Sequence, residues 1–446
     1  MANEMVVKQP GEVAALIREQ MNVWKRQWQE LIQALEQKGA DTQFSVGSPV
    51  AESGLAEVES RLGIRLPHEL RSLLKEGAGQ AYVYWSLPDA AILPFEVSGG
   101  LGWDVDQLDF FVSNEEEYTG EQQRYLSFHL AGNGDELLLD LHSASGTAVV
   151  HWAHETAEYL LLALSVTEFV DKITALGCVG AEEWQYPEFC SESGLDLEKQ
   201  ASRQWRAWLH EYLTLTLGQA QKELPLLLRY AEMFGTDQEI AEAFGQYYAG
   251  EVLQAFLNRA EQERNSQNKE AILCLAGDVL KEQAADFVRS LWSETSSVKV
   301  SRSTLAYLSA QCLPGDEGLE HVFRMLEVSA TPAKPSGYMA NSLLQNFHSR
   351  RVLVWMEDKI AFPYGGWDAL YVHSQPAPSD IVQWLGGSDV QRQIVIAAFP
   401  ALYDKGAGSF GRAELLQIRS LLEQALEEAV LKKEKQAVRD ALGRLP

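Results

Sequence analysis

The sequence predicts an α+β domain, in which helices flank an antiparallel sheet, followed by an all-α domain of stacked helical hairpins. Segments that are rich in β-forming residues or alternate in polarity occur between about residues 81 and 152, with helical patterns on both sides. From about residue 201 onward nearly every segment has helical spacing of its apolar residues, interrupted by short breaks. A chain of 446 residues is also longer than one ordinary domain and suits two or three.

The first 47 residues are predicted to contain one amphipathic helix that packs on the next domain. Apolar side chains recur there at intervals of three and four residues, at Val13, Ile17, Met21, Trp24, Trp28, Leu31 and Leu35. This spacing places them on one helical face. Gly39 ends the pattern, and we expect the two tryptophans to pack on the neighbouring domain and not to bind a ligand.

Residues 48–177 are predicted to form the α+β domain. It begins with two short helices, the first ending at Gly63 and the second having Pro67 in its first turn. The strand predictions are Ala81–Trp85, Ala91–Leu93, Tyr125–Leu130, Leu137–Leu141 and Ala148–Trp152. Asn133 and Gly134 favour a tight hairpin turn, so the last three strands form a meander. A capping box at Ser165 and Glu168 begins the closing helix, and the glycine-rich stretch 99–102 is expected to be a flexible loop.

Residues 178–200 are predicted to be a linker, and residues 201–446 an all-α domain. The linker prediction depends on Gly180, Pro187, Gly194 and scattered acidic residues. The helical part shows only a weak echo of a repeat, with Trp355, Trp367 and Trp384 near helix ends, so an irregular array is expected.

The charge balance is strongly acidic, with 37 Lys and Arg against 63 Asp and Glu and a formal net charge of −26. Nucleic acids and anionic membranes are therefore disfavoured as partners, and cationic surfaces are favoured. The alternative is that the acidity serves solubility alone. The first residues lack a signal peptide, and the longest apolar run, 159–164, is too short to cross a bilayer. We therefore expect a soluble cytoplasmic protein.

No catalytic residue, metal site or cofactor is predicted. The four cysteines form no CxxC pair, although a disulfide between Cys178 and Cys190 remains open. His151 and His154 have metal-like residue types, but a zinc site needs three or four converging ligands. Asp135 and Asp140 could be a pair of catalytic carboxylates, but a structural role for Asp135 in the hairpin turn is simpler.

Two separated motifs in this region carry a resemblance to a known family. The first motif comprises a helix with Glu57 and Glu59, then Leu62-Gly63-Ile64, Leu66-Pro67 and the leucines from Leu70 to Leu74. The second comprises Leu130-Ala-Gly-Asn-Gly-Asp135, a strand ending in Asp140, Val150 with His151, and the helix Val166 to Leu176. Together the two motifs resemble the SUKH superfamily, which includes yeast cell-wall-assembly regulators and bacterial immunity proteins. One departure is Gly77-Ala78-Gly79, where the family often has Asn-Gly. The resemblance covers residues 48–177.

The resemblance implies a binding protein that is not an enzyme, and in bacteria an immunity protein that neutralises a toxin. Residues 51–180 contain 21 Asp and Glu against 6 Lys and Arg, a net of −15, which suits a partner with a basic surface. The predicted binding residues are Trp85, Asp104, Asp106, Asp109, Glu115, Glu116, Glu117, Asp135 and Glu136. The alternative is an adaptor whose helical C-terminal array is the main binding surface. The oligomeric state is left open.

Overall fold

A computed structural model describes residues 10–112, 124–131, 133–293, 295–329, 335–406 and 410–445, without the side chains of residues 10–14, 183 and 329. The chain divides into two compact units, Met1–Gly235 and Thr236–Pro446. The fold class is confirmed, since antiparallel sheets with helices precede a long all-helical region. No helix in the described ranges is both long enough and apolar enough to cross a membrane.

The first unit contains seven α-helices and ten strands within its described residues. In chain order they are α1 Pro10–Glu36, β1 Asp41–Val46, α2 Glu52–Leu62, α3 His68–Ser72, a π-helical turn Leu73–Gly77, β2 Gln80–Ser86, β3 Gly99–Asp104, a 3₁₀ turn Val105–Gln107, β4 Asp109–Phe110, β5 Tyr125–Leu130, β6 Glu136–Asp140, β7 Ala148–Ala153, β8 Glu158–Ala163, α4 Val166–Ala175, a 3₁₀ helix Glu183–Phe189, β9 Cys190–Ser191, β10 Gly194–Leu195, α5 Gln200–Thr214, α6 Leu217–Ala220 and α7 Leu224–Phe234.

Two antiparallel sheets form the centre of this unit. One has the order β1-β2-β3 and the other the order β4-β5-β6-β7-β8. Strands β9 and β10 form a separate two-stranded sheet. The predicted meander corresponds to β5, β6 and β7, and the closing helix α4 begins as predicted, because the Ser165 side chain accepts a hydrogen bond from the Glu168 backbone N–H. Strands of alternating polarity bury one face and expose the other.

Helix α1 packs on this unit with its apolar stripe. Trp24 and Trp28 are fully buried. Their indole N–H groups donate hydrogen bonds to the Asp171 carboxylate (2.8 Å) and the Thr174 hydroxyl (2.9 Å), both on α4. The stripe therefore contributes to the main hydrophobic core of the first unit.

Two strand and loop predictions in this region are wrong. Residues 91–93 form no strand, and residues 99–102 belong to strand β3 and are not a loop. The reason is close packing that sequence spacing does not show. A Cβ atom at Gly99 would lie 1.9 Å from the Trp85 Nε1 atom, and one at Gly100 would lie 2.3 Å from the Ala181 backbone. Glycine in a strand marks such close approaches.

The segment predicted to be a linker, 178–200, is packed into the core instead. Cys178, Val179, Tyr186 and Phe189 are buried there. The helices that follow, α5 to α7, belong to the first compact unit, and the all-helical unit begins at Thr236, beyond the predicted start at residue 201. The glycine, proline and acidic residues of this segment are typical of a linker, so its buried apolar residues were not predicted.

The second unit is helical throughout its described residues. Its elements are α8 Gln238–Phe244, α9 Ala249–Gln262, α10 Ser266–Leu280, a 3₁₀ turn Lys281–Ala284, α11 Ala285–Leu291, α12 Arg302–Cys312, α13 Glu317–Ser329, α14 Gly337–Leu344, α15 Arg350–Lys359, α16 Trp367–His373, α17 Pro378–Leu385, α18 Asp389–Gly406, α19 Arg412–Glu428 and α20 Lys432–Leu442. The even-numbered helices pack one on the next from α8 to α20. This arrangement confirms the predicted stack of helical hairpins.

Candidate functional site: an acidic groove

A groove in the first unit runs over β3, the 3₁₀ turn, β4, β5 and the start of β6. It consists of two depressions of about 530 and 310 Å³, which share Gln107, Phe128, His129 and Leu130. We call it the acidic groove. Its lining also includes four predicted binding residues, Asp104, Asp106, Asp109 and Glu136.

The local sequence explains why the acidic side chains face outward. Strand β3 ends at Asp104, whose carboxylate accepts a hydrogen bond from the Asp106 backbone N–H (3.0 Å) and caps the 3₁₀ turn. Leu108 is buried and fixes the turn in the core. Asp109 then lies directly opposite Ser127 of β5. Asp106 and Asp109 are therefore exposed at the groove, and Asp104 is half-buried.

The groove carries a net negative charge. Its four carboxylates face one lining guanidinium, Arg61, which donates a hydrogen bond to the Leu108 carbonyl (2.8 Å). Glu136 is half-buried, and burial raises its pKa, although a hydrogen bond from the Ser127 side chain opposes that effect. A concave surface of one sign favours the approach of oppositely charged partners.

Apolar side chains are exposed beside these acids. Leu130 is 61% exposed and Val112 is 62% exposed, and both line the larger depression. Tyr82 of β2 lines the smaller depression and is also exposed. Apolar and aromatic groups next to charged ones are typical of protein–protein interfaces.

The predicted residues Glu115, Glu116 and Glu117 lie outside the described residues, so their place at the groove stays a prediction. Trp85 does not lie at a surface. Its side chain is fully buried, stacks on Trp205 with a centroid distance of 6.1 Å, and donates a hydrogen bond to the Gly177 carbonyl (2.8 Å). The expectation that Trp85 contacts a partner is therefore corrected, because the inward face of β2 is core.

Asp135 is also buried, and its carboxylate is held within the domain. One oxygen accepts hydrogen bonds from the His154 backbone N–H (2.9 Å) and lies 2.7 Å from His154 Nδ1. The other lies 3.3 Å from His151 Nε2 and accepts a bond from Asn133 (3.1 Å). Burial alone would raise the pKa of Asp135, but these hydrogen bonds outweigh burial and lower it. Its role as a binding residue is corrected to a structural one.

The other residues considered for chemistry have separate partners. Asp140 pairs with Arg124 (2.9 Å) and not with Asp135. The four cysteines are free thiols, and burial raises the pKa of Cys190 to about 11 and the pKa values of Cys274 and Cys312 to about 12. Within the described ranges, no group of three or more His, Cys, Asp or Glu side chains could hold a metal ion.

Sequence reasoning predicted only the acidic residues of the groove and missed the rest of its lining, including Tyr82, Gly102 and His129. The alternation of Tyr125–Leu130 shows that His129 faces away from the core, which is the one available signal. It does not show that β3 lies beside β5, because that pairing of sheets depends on contacts between residues far apart in sequence.

The structure thus has an α+β module that carries the acidic groove, followed in the chain by an array of helices. Residues 49–172 match the model of the SMI1/KNR4 family (SUKH-1). The resemblance predicted for residues 48–177 is thereby confirmed for this domain, which is less than a third of the chain. No curated protein and no solved structure matched the chain.

Proposed function

We propose that this domain binds a protein with a basic surface through the acidic groove, as a bacterial immunity-like protein that neutralises a toxin-type partner. At the family level, SUKH domains are protein-binding modules with immunity or regulatory roles. The observation that supports the proposal most is the convergence of Asp104, Asp106, Asp109 and Glu136 on one concave surface with exposed apolar side chains.

The charges of the groove suit recognition by electrostatic attraction. Asp106 and Asp109 form no ion pair within the described residues, so their charges are not neutralised inside the domain. Charges on an exposed rim mainly increase the association rate, and dissolved salt screens them over about 10 Å at 0.1 M. Binding through this surface is therefore expected to weaken as salt is raised.

We further propose that the chain is not an enzyme and acts inside the cell. Support for the first point comes from the carboxylates and thiols, since Asp135 and Asp140 have separate structural partners and the buried thiols have raised pKa values. Support for the second comes from four free cysteines, which are typical of a reducing compartment.

Affinity capture with the full chain tests the proposal. Wild type is compared with a groove variant, Asp106→Asn/Asp109→Asn/Glu136→Gln, and with a control variant, Glu57→Gln/Glu155→Gln/Glu158→Gln, which removes three exposed charges elsewhere in the same domain. We expect wild type and the control variant to capture a basic protein at low salt, and we expect the groove variant not to capture it. Equal capture by all three forms would contradict the proposal.

The helical unit offers a second candidate surface, as an adaptor. Tyr338 is 74% exposed and Tyr364 is 70% exposed, and the Tyr364 ring stacks on the exposed Phe362 ring with a centroid distance of 5.9 Å. Large exposed aromatic groups of this kind mark interaction sites. If the change Tyr338→Ser/Phe362→Ser/Tyr364→Ser removes partners that the groove variant retains, the adaptor function is favoured.

A further inference from the structure

The smaller depression of the acidic groove has a floor without a side chain. Gly102 of β3 lies opposite Tyr82 of β2 in the register of the sheet. A Cβ atom at Gly102 would lie 3.3 Å from Tyr82 Cδ2 and 3.4 Å from His129 Nδ1. The two rings therefore adjoin the same backbone position from different strands. We call this place the Gly102 notch.

A carboxylate stands at one end of the notch. Asp104 is two residues beyond Gly102, and alternate residues of a strand face the same side, so both face the groove. One Asp104 oxygen caps the 3₁₀ turn. The other makes no hydrogen bond within the described residues and is available to a ligand. Gln80 and Gln107 add side-chain amide groups to the lining.

The ring of His129 contributes without adding positive charge. Burial lowers its pKa from the ordinary value, so the imidazole is neutral at neutral pH. The neutral imidazole and the phenol ring of Tyr82 are both aromatic groups of the lining, and an aromatic ring can attract a cation by about 0.5–1 kcal/mol at exposed sites. The notch therefore combines two rings, a glycine floor and one carboxylate.

We propose that the Gly102 notch binds an arginine side chain of the protein partner, with its guanidinium beside the rings of Tyr82 and His129 and paired with Asp104. This inference depends on the proposed function and specifies the residue type that the groove recognises. Arginine fits better than lysine because a guanidinium is planar, weakly hydrated and able to stack, whereas an ammonium is a compact and strongly hydrated charge.

Three small probes test this assignment on the full chain: acetyl-Gly-Arg-Gly-amide and its lysine and citrulline counterparts. Citrulline keeps the shape of arginine without the charge. In saturation-transfer NMR we expect the arginine probe to bind with a Kd of about 1 mM and about tenfold more tightly than the other two. Equal binding of the arginine and lysine probes would overturn the proposal, as would no binding of the arginine probe at about 10 mM.

Two variants locate the binding. Asp104→Asn removes the charge and keeps an oxygen that can cap the turn, and Gly102→Ala fills the floor with one methyl group. Each is expected to weaken binding of the arginine probe about tenfold. Glu158→Gln on β8, at the opposite edge of the five-stranded sheet, is expected to leave binding of the probe unchanged. If Gly102→Ala does not fold, Tyr82→Leu tests the ring. Unchanged binding in these variants would overturn the assignment.

The outcomes separate this inference from the proposed function. If the Asp106→Asn/Asp109→Asn/Glu136→Gln variant loses a basic partner and Gly102→Ala retains it with wild-type affinity, the groove function stands and the arginine anchor is wrong. If the arginine probe binds at the notch but no basic protein is captured, the notch stands and the proposed function is wrong.

Discussion

The two faces of the first unit use the same residue types for opposite purposes. On the inner face, Trp85 and Asp135 are buried, and their polar atoms are hydrogen-bonded within the domain. On the groove face, Tyr82 and Asp106 are exposed. Because a buried side chain is not accessible to a partner, the recognition that we propose is assigned to the groove face.

The largest expected effect concerns the two aromatic residues of β2. Trp85→Ala is expected to lower the free energy of unfolding by about 3–5 kcal/mol, because it removes a buried indole and its hydrogen bond to Gly177. Tyr82→Ala should cost about 1 kcal/mol or less, since that ring is exposed. Urea denaturation of the full chain measures both. Equal losses would remove the distinction between the faces.

The two aspartates provide the next comparison. Asp135→Ala should lower the free energy of unfolding by about 2–3 kcal/mol, because it removes the buried carboxylate that accepts from His154 and Asn133 and leaves the buried His151 ring without this partner. Asp106→Ala should change it by about 0.5 kcal/mol or less. Thermal and urea denaturation would check this. A small effect at Asp135 would show that the carboxylate is not required by the fold.

The fold was predictable wherever a local pattern determines it. The spacing of the Trp24 and Trp28 stripe, the meander and the capping box at Ser165 each depend on neighbouring residues, and the structure has all three. The groove was only partly predictable. The run of acids indicated Asp104, Asp106 and Asp109, since a charge run at a turn remains exposed.

The failures all involve contacts that are distant in sequence. Gly99 is a strand residue because Trp85 occupies the space where its side chain would be. Trp85 is core because Trp205, in the helix beyond the predicted linker, covers it. Asp135 is structural because β7 brings His151 beside it. Single-sequence patterns contain none of these pairings.

A pH titration tests the buried histidines. Burial lowers the pKa of His151, and the hydrogen bond to Asp135 opposes this effect only in part. Burial also lowers the pKa of His129. Below the ordinary value of about 6.5, the unfolded chain therefore binds protons that the folded chain does not. Stability should be greatest above about pH 6.5 and should fall as the pH approaches about 5.

Denaturation at a series of pH values would show this fall, and His151→Gln should reduce its slope, whereas His68→Gln, at an exposed position, serves as the control. The lowered pKa of Asp135 predicts a second loss at lower pH, below the ordinary carboxyl value of about 3.8, as this carboxylate becomes protonated in the folded state. A stability that is constant from pH 7 to about 5 would contradict the assigned burial of the two histidines.

The smallest expected effect in free energy, but the most direct test of the central claim, is the association rate of the captured partner. Neutralising Asp106, Asp109 and Glu136 should slow association about tenfold at low salt, since exposed charges such as Asp106 and Asp109 each contribute about 0.2–1 kcal/mol, and should leave unfolding unchanged. Stopped-flow measurement across a range of salt concentrations compares this variant with wild type and with Glu57→Gln/Glu155→Gln/Glu158→Gln. The account predicts that wild type and control lose rate steeply with salt while the groove variant is slow and nearly independent of salt. Equal rates and equal salt dependence in all three proteins would contradict it.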